Sequence, residues 1–220
     1  MHHHFETLEQ QKESAFLGMW LFMAQEVMFF GGIFAAYVNY RTMYPDAFIA
    51  GSQQLNVTIG AANTIVLLCS SFTMVYAVWA AQNGKGPRQI AAGLWGTLFF
   101  GSIFLIVKYF EYGDKFSHNL FPGDGFVSPV SQIANAESTE IFFALYFGMT
   151  GLHALHMVIG MGIMLWMLFG IQRGYKWAQW DRDQHNFIEG FGLYWHFVDI
   201  VWIFLFPFLY LIGESVGKLQ

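Results

Sequence analysis

Five places in this 220-residue chain carry side chains able to move protons, pair charges or ligate a metal inside otherwise apolar sequence. Glu26 sits mid-run in Gln25-Glu26-Val27-Met28-Phe29-Phe30. His153 and His156 are three residues apart, which puts both on one helical face. Glu189, His196 and Asp199 are spaced by seven and three, so a helix gathers them on a stripe about 80° wide. Lys108 and Glu111 form an i, i+3 pair suited to an interfacial ion pair with a snorkelling lysine. The lone Cys69 offers no intrachain disulfide and no cysteine ligand set. An ionisable group in hydrocarbon costs roughly 2.5–3.5 kcal/mol on insertion scales, so each of these is a candidate functional residue.

For Glu26 the spacing leaves two readings open, a proton relay or lipid contact and a packing carboxyl bonded to a neighbour. Two histidines on one helical turn cannot clamp the opposite faces of one haem, so His153 and His156 fit helix–helix hydrogen bonding better. Asp199, one turn beyond His196, can pair with it, and the stripe must face protein or water rather than lipid. A buried polar network fits this stripe better than a proton-transfer chain. His2-His3-His4 reads as a solvated tail or a tag remnant and stays outside the fold argument.

The elements that carry these residues follow from composition. Hydrophobic residues make up 55% of the chain and charged residues only 11%, too few charges to cover a water-soluble domain of this size. The net charge of −5 and the lack of a basic block exclude a nucleic-acid partner. A bilayer core about 30 Å thick needs about 20 apolar residues as helix. Five stretches qualify, near residues 14–40, 55–82, 89–112, 138–171 and 187–213. Strands are excluded because strict alternation is absent. The fold class is therefore an all-α integral membrane bundle of five helices, residues 14–213, with polar tails at 1–13 and 214–220. Residues 44–54, 83–88, 113–136 and 172–184 are expected as loops.

Lys12, Lys85, Arg88, Arg173, Lys176 and Arg182 fall on one side of these spans, against Arg41, Lys108, Lys115 and Lys218 on the other. The larger basic set marks the cytoplasmic side, which puts the N-terminus inside and the C-terminus outside. Ala92-x-x-x-Gly96, Thr97-x-x-x-Gly101 and Ala144-x-x-x-Gly148 are candidate sites of close helix approach. No Walker motif, dinucleotide turn or nucleophile elbow is present in the sequence.

Several segments together point to a family. Tyr194-Trp195-His196-Phe197-Val198-Asp199-Ile200-Val201-Trp202 resembles the signature of subunit III of the haem–copper oxidases. Glu26-Val27-Met28-Phe29-Phe30, Lys108-Tyr109-Phe110-Glu111-Tyr112 and Gly151-Leu152-His153-Ala154-Leu155-His156 are similar to further pieces of it in the same order. His185 with Glu189 matches the entry to the last helix. The resemblance covers residues 14–213 and matches the five-helix form; seven-helix members have two further N-terminal helices.

The resemblance implies an accessory subunit of a terminal oxidase, most naturally cytochrome c oxidase, without a redox centre of its own. Haem and copper belong to partner subunits I and II. It further implies binding to subunit I, support of proton uptake and of the active site, and bound phospholipid. A place in a larger respiratory supercomplex and in a bacterial plasma membrane is also consistent with it. Glu26 matches the family's embedded carboxylate, and Arg173 is the candidate for a lipid phosphate. Glu111, His153, His156, Glu189, His196 and Asp199 are the structural or interface candidates. A quinol-oxidase subunit III, an accessory protein of nitric oxide reduction, a membrane cytochrome using His153, His156 and His196, and a transporter coupled through Glu26 and Asp199 are the alternatives.

Overall fold

A computed structural model describes residues 8–123, 125–128, 136–173 and 186–213. Its helices are α1 (Leu8–Met43), α2 (Pro45–Gln53), α3 (Val57–Gln82), α4 (Pro87–Ser117), α5 (Ala136–Arg173) and α6 (Asn186–Tyr210). The described residues contain no strand. All but α2 are long and apolar enough to cross a membrane, so the five-span, all-α expectation holds. His2–His4, Lys176, Arg182, His185 and Lys218 lie outside the described residues.

Local chemistry sets the helix ends. Asn56 caps α3, its Oδ1 accepting from the Ile59 amide at 3.2 Å. The tight connection to α4 uses Gly84 at φ 61°, where a side chain would be strained, and then Pro87 to open the helix. The helices outrun the apolar stretches. α1 starts at Leu8, inside the segment expected as a tail, and α4 continues to Ser117 through the polar Asp114-Lys115. Once nucleated in the apolar part, a helix extends into the interface, where water takes its terminal groups. The segment from Tyr44 to Gln54, expected as a loop, is mostly α2. Pro45 opens it, Asp46 sits in its first turn, and Ala47, Phe48, Ala50 and Gly51 turn inward. Its Gly51 lies flat against the Phe142 ring of α5.

α3 and α4 form the most extensive helix pair, and α6 packs next against α3. Small residues allow this. A Cβ at Gly93 would sit 2.8 Å from the Ala77 backbone nitrogen, and one at Gly96 would sit 3.0 Å from Thr73. Gly101 and Gly160 instead make room for the Trp195 ring. Among the described residues no neighbour lies within 4 Å of a Cβ at Gly148, so the expected Ala144/Gly148 approach is not made there. Gly93, absent from the expected patterns, is the tightest of the α3–α4 contacts. α1 is the peripheral helix. Phe16, Leu17, Trp20, Leu21, Val27 and Met28 are exposed on it, as lipid-facing residues of a span would be.

Gly93→Ala is expected to force α3 and α4 apart, because the obstacle is backbone rather than a flexible side chain. Overpacking of this kind costs about 1–3 kcal/mol. Gly31→Ala, where a Cβ meets nothing within 4 Å, is the matched control. Thermal melting of the purified protein should fall clearly for Gly93→Ala and stay unchanged or rise for Gly31→Ala.

Candidate functional site: a polar core inside the bundle

The most densely bonded group is built on α4. Lys108 and Glu111 share a face one turn apart, and both are buried, at 5% and 8% exposure. Lys108 Nζ donates to Glu111 Oε2 at 3.1 Å and to Tyr210 Oη at 2.6 Å. Glu111 Oε1 accepts from Tyr146 Oη at 2.6 Å and from Tyr210 Oη. The ammonium also lies 4.7 Å from the Trp202 ring centre and 5.4 Å from that of Tyr146. Aromatic faces offset part of the desolvation of a buried cation. The interfacial, snorkelling pair expected from the sequence is thus an interior pair. The tyrosines of α5 and of the end of α6 close over it, and they carry no spacing signal in the sequence that would announce it.

One turn further on, Lys115 is also buried and pairs with the exposed Asp114 at 2.9 Å. It lines a cavity of about 330 Å³ with Gln54, Asp114, His118, Leu120 and Val127. Lys108, Glu111 and Lys115 therefore form one buried charged stripe running to the polar end of α4.

The histidine pair of α5 divides between two neighbours. His156 Nε2 lies 3.1 Å from Glu26 Oε2 on α1, and its Nδ1 donates to the Leu152 carbonyl at 2.8 Å. Since a carbonyl only accepts, Nδ1 carries a hydrogen. The Glu26 contact then needs one further proton, on the carboxyl or on Nε2. Phe30 packs on the imidazole at 5.3 Å between ring centres, and Tyr194 Oη donates to the His156 carbonyl at 2.9 Å. His153 points elsewhere. It is fully buried between the rings of Phe104 and Trp202, each 5.3 Å away, and neither ring nitrogen has a hydrogen-bond partner among the described residues. The expected helix–helix hydrogen bonding is therefore made by His156 alone.

The stripe on α6 faces α3, in rungs. Trp195 Nε1 donates to Ser70 Oγ at 3.1 Å, Ser71 Oγ meets His196 Nδ1 at 2.8 Å, and Trp202 Nε1 donates to Thr64 Oγ1 at 3.1 Å. At one end of the stripe Gln82 Nε2 donates to Glu189 Oε1 at 3.1 Å. The expected His196–Asp199 bond is not made, because His196 bonds across to α3 instead of along its own helix. Asp199 is buried beside Ser71, yet both carboxyl oxygens lack hydrogen-bond geometry to any described group. Arg173 is exposed at the end of α5, its guanidinium 4.0 Å from the centre of the Phe169 ring.

These groups join every span to another through at least one polar contact. The family model described as cytochrome c oxidase subunit III matches residues 3–214. The chain belongs to the cytochrome c oxidase subunit III family. It is 30% identical over 196 residues to cytochrome c oxidase subunit 3 of Thermostichus vulcanus, covering 89% of this chain and 86% of that protein. It is 28% identical to the Bacillus subtilis subunit 3, over 94% of this chain and 91% of the relative. A third relative, from Aeropyrum pernix, is named heme-copper oxidase subunit I+III. It is 31% identical, and the match spans 88% of this chain but 22% of that longer protein. In this subunit III homologue the signature around His196 and Asp199 forms the α3–α6 seam, and the Lys108–Glu111 segment forms the interior ion pair.

Removing one member of that pair should cost far more than removing both. Lys108→Met or Glu111→Leu leaves an uncompensated charge in the interior, at about 3–5 kcal/mol. The double variant should recover most of that loss in thermal melting. Equal losses that simply add would mean that the two side chains do not act on one another.

Proposed function

We propose that this chain is an accessory subunit of a respiratory haem–copper terminal oxidase. It binds subunit I in a bacterial plasma membrane and supports proton uptake and active-site stability without holding a redox centre itself. Haem and copper sit in subunits I and II. Structural phospholipid lies against it, and Arg173 is its candidate phosphate contact. Its N-terminus faces the cytoplasm and its C-terminus the outside.

The observation that carries this reading is where the ionisable side chains of the spans spend their bonds. Glu26 meets His156, Lys108 meets Glu111, and Ser71 meets His196, each across or along packed helices. Such contacts fix helix positions, which is the work of a scaffold. The Aeropyrum relative, whose name joins subunits I and III in one protein, supports subunit I as the neighbour. The basic residues Lys85 and Arg88 at the α3–α4 connection and Arg173 at the end of α5 support the orientation.

A tag on this chain, in cells that also carry the other oxidase subunits, should bring down a haem- and copper-containing complex. The same chain expressed alone should show no Soret band. A stoichiometric haem spectrum from the isolated chain would support the membrane-cytochrome reading instead. In the assembled complex, Glu26→Gln should leave initial oxygen consumption near normal, because the amide keeps the volume and much of the hydrogen bonding toward His156. Its loss should show later, as faster inactivation during turnover. An immediate tenfold drop, about 1.4 kcal/mol of barrier, would put Glu26 on the working proton route.

A further inference from the structure

The α3–α4–α5 crossing holds a second set of polar atoms, apart from the pairs above. His153 of α5 is a fully buried imidazole with two unpartnered ring nitrogens. Asn63 of α3 is also buried, at 1% exposure, and its Oδ1 is unpartnered. Both pack on one residue of α4. The Phe104 ring lies 5.3 Å from the imidazole, and its carbonyl accepts from Asn63 Nδ2 at 3.5 Å, the long limit for such a bond. We propose that this crossing binds a structural water molecule that bridges His153 and Asn63.

The chemistry of the two side chains favours water. A neutral imidazole presents one N–H and one lone pair, and Asn63 Oδ1 accepts only. A water accepts from the imidazole N–H and donates to Asn63 Oδ1. That gives it two partners, within the range for a buried water. The structure makes no direct His153–Asn63 bond, and a water can span the two where a bond does not. Phe104 and Trp202 pack against the imidazole. Leaving a buried donor or acceptor unmade is costly, so a bridging water explains why α5 places a histidine between two aromatic rings. Through it, α3 and α5 share one hydrogen-bonded point with α4 between them.

A density map of the purified oxidase complex, fine enough to show ordered waters, tests the bridge. The expected result is a peak within about 2.7–3.2 Å of a His153 ring nitrogen and of Asn63 Oδ1. A ring nitrogen bonded directly to Asn63, or no density between the two side chains, overturns the proposal. Asn63→Leu should remove the peak and lower the melting temperature of the complex. Adding His153→Phe should restore part of that loss, since both polar ends are then gone. Losses that add in the double variant also count against the bridge. The wild-type map decides the question even if a variant fails to assemble.

Discussion

A lysine and a glutamate one turn apart, inside a bundle built for hydrocarbon, set the condition that the rest of this fold meets. Removed from water, Lys108 and Glu111 are tolerable only if every remaining donor and acceptor finds a partner. The protein supplies those partners from two further helices. Tyr146 of α5 and Tyr210 of α6 both reach Glu111 Oε1, and Trp202 of α6 covers the ammonium. None of these contacts survives a shift of α5 or α6 by one turn. The pair thus contributes less through its own attraction than through the one arrangement of helices that satisfies it.

The same logic explains the peripheral contacts. α1 exposes most of its surface and packs on α5 and α6 over short stretches. Its polar attachments include Glu26 to His156 near its middle and Tyr37 Oη donating to the Phe208 carbonyl toward its end. Phe208 lies in the last turn of α6, where the carbonyls have no donor within the helix. At the α3–α6 seam, serine and threonine hydroxyls take the tryptophan N–H groups and the His196 ring, and apolar contacts supply the rest. Between lipid-like side chains such bonds and close packing, rather than a hydrophobic driving force, choose the neighbour.

The apolar lengths made the five spans legible, because the bilayer imposes its thickness on sequence directly. The stripe of Glu189, His196 and Asp199 was legible too, since helical spacing alone puts it on one side. Its partners were not. Periodicity reports which residues share a face, not which helix lies opposite, so Ser71 displaced the expected Asp199 as the neighbour of His196. The burial of Lys108 and Glu111 was hidden for the same reason: the residues that close over them come from α5 and α6, far along the chain. α2 escaped notice because nine residues with glycine and serine read as a loop, although Pro45 and Asp46 mark a helix start. Gly93 escaped because small residues are common, and only the α3–α4 register shows which one touches backbone.

Glu111 is the carboxylate partner of Lys108, held by two tyrosine hydroxyls, and not a spare proton carrier. Infrared spectra of the assembled complex at neutral pH, wild type against Glu111→Gln, with glutamate isotopically labelled, read its state directly. A carboxylate band should vanish in the variant, and the same band should shift in Tyr210→Phe of the otherwise wild-type chain. Disappearance of a protonated carboxylic acid band instead would contradict this pairing and show that no ion pair holds these helices together.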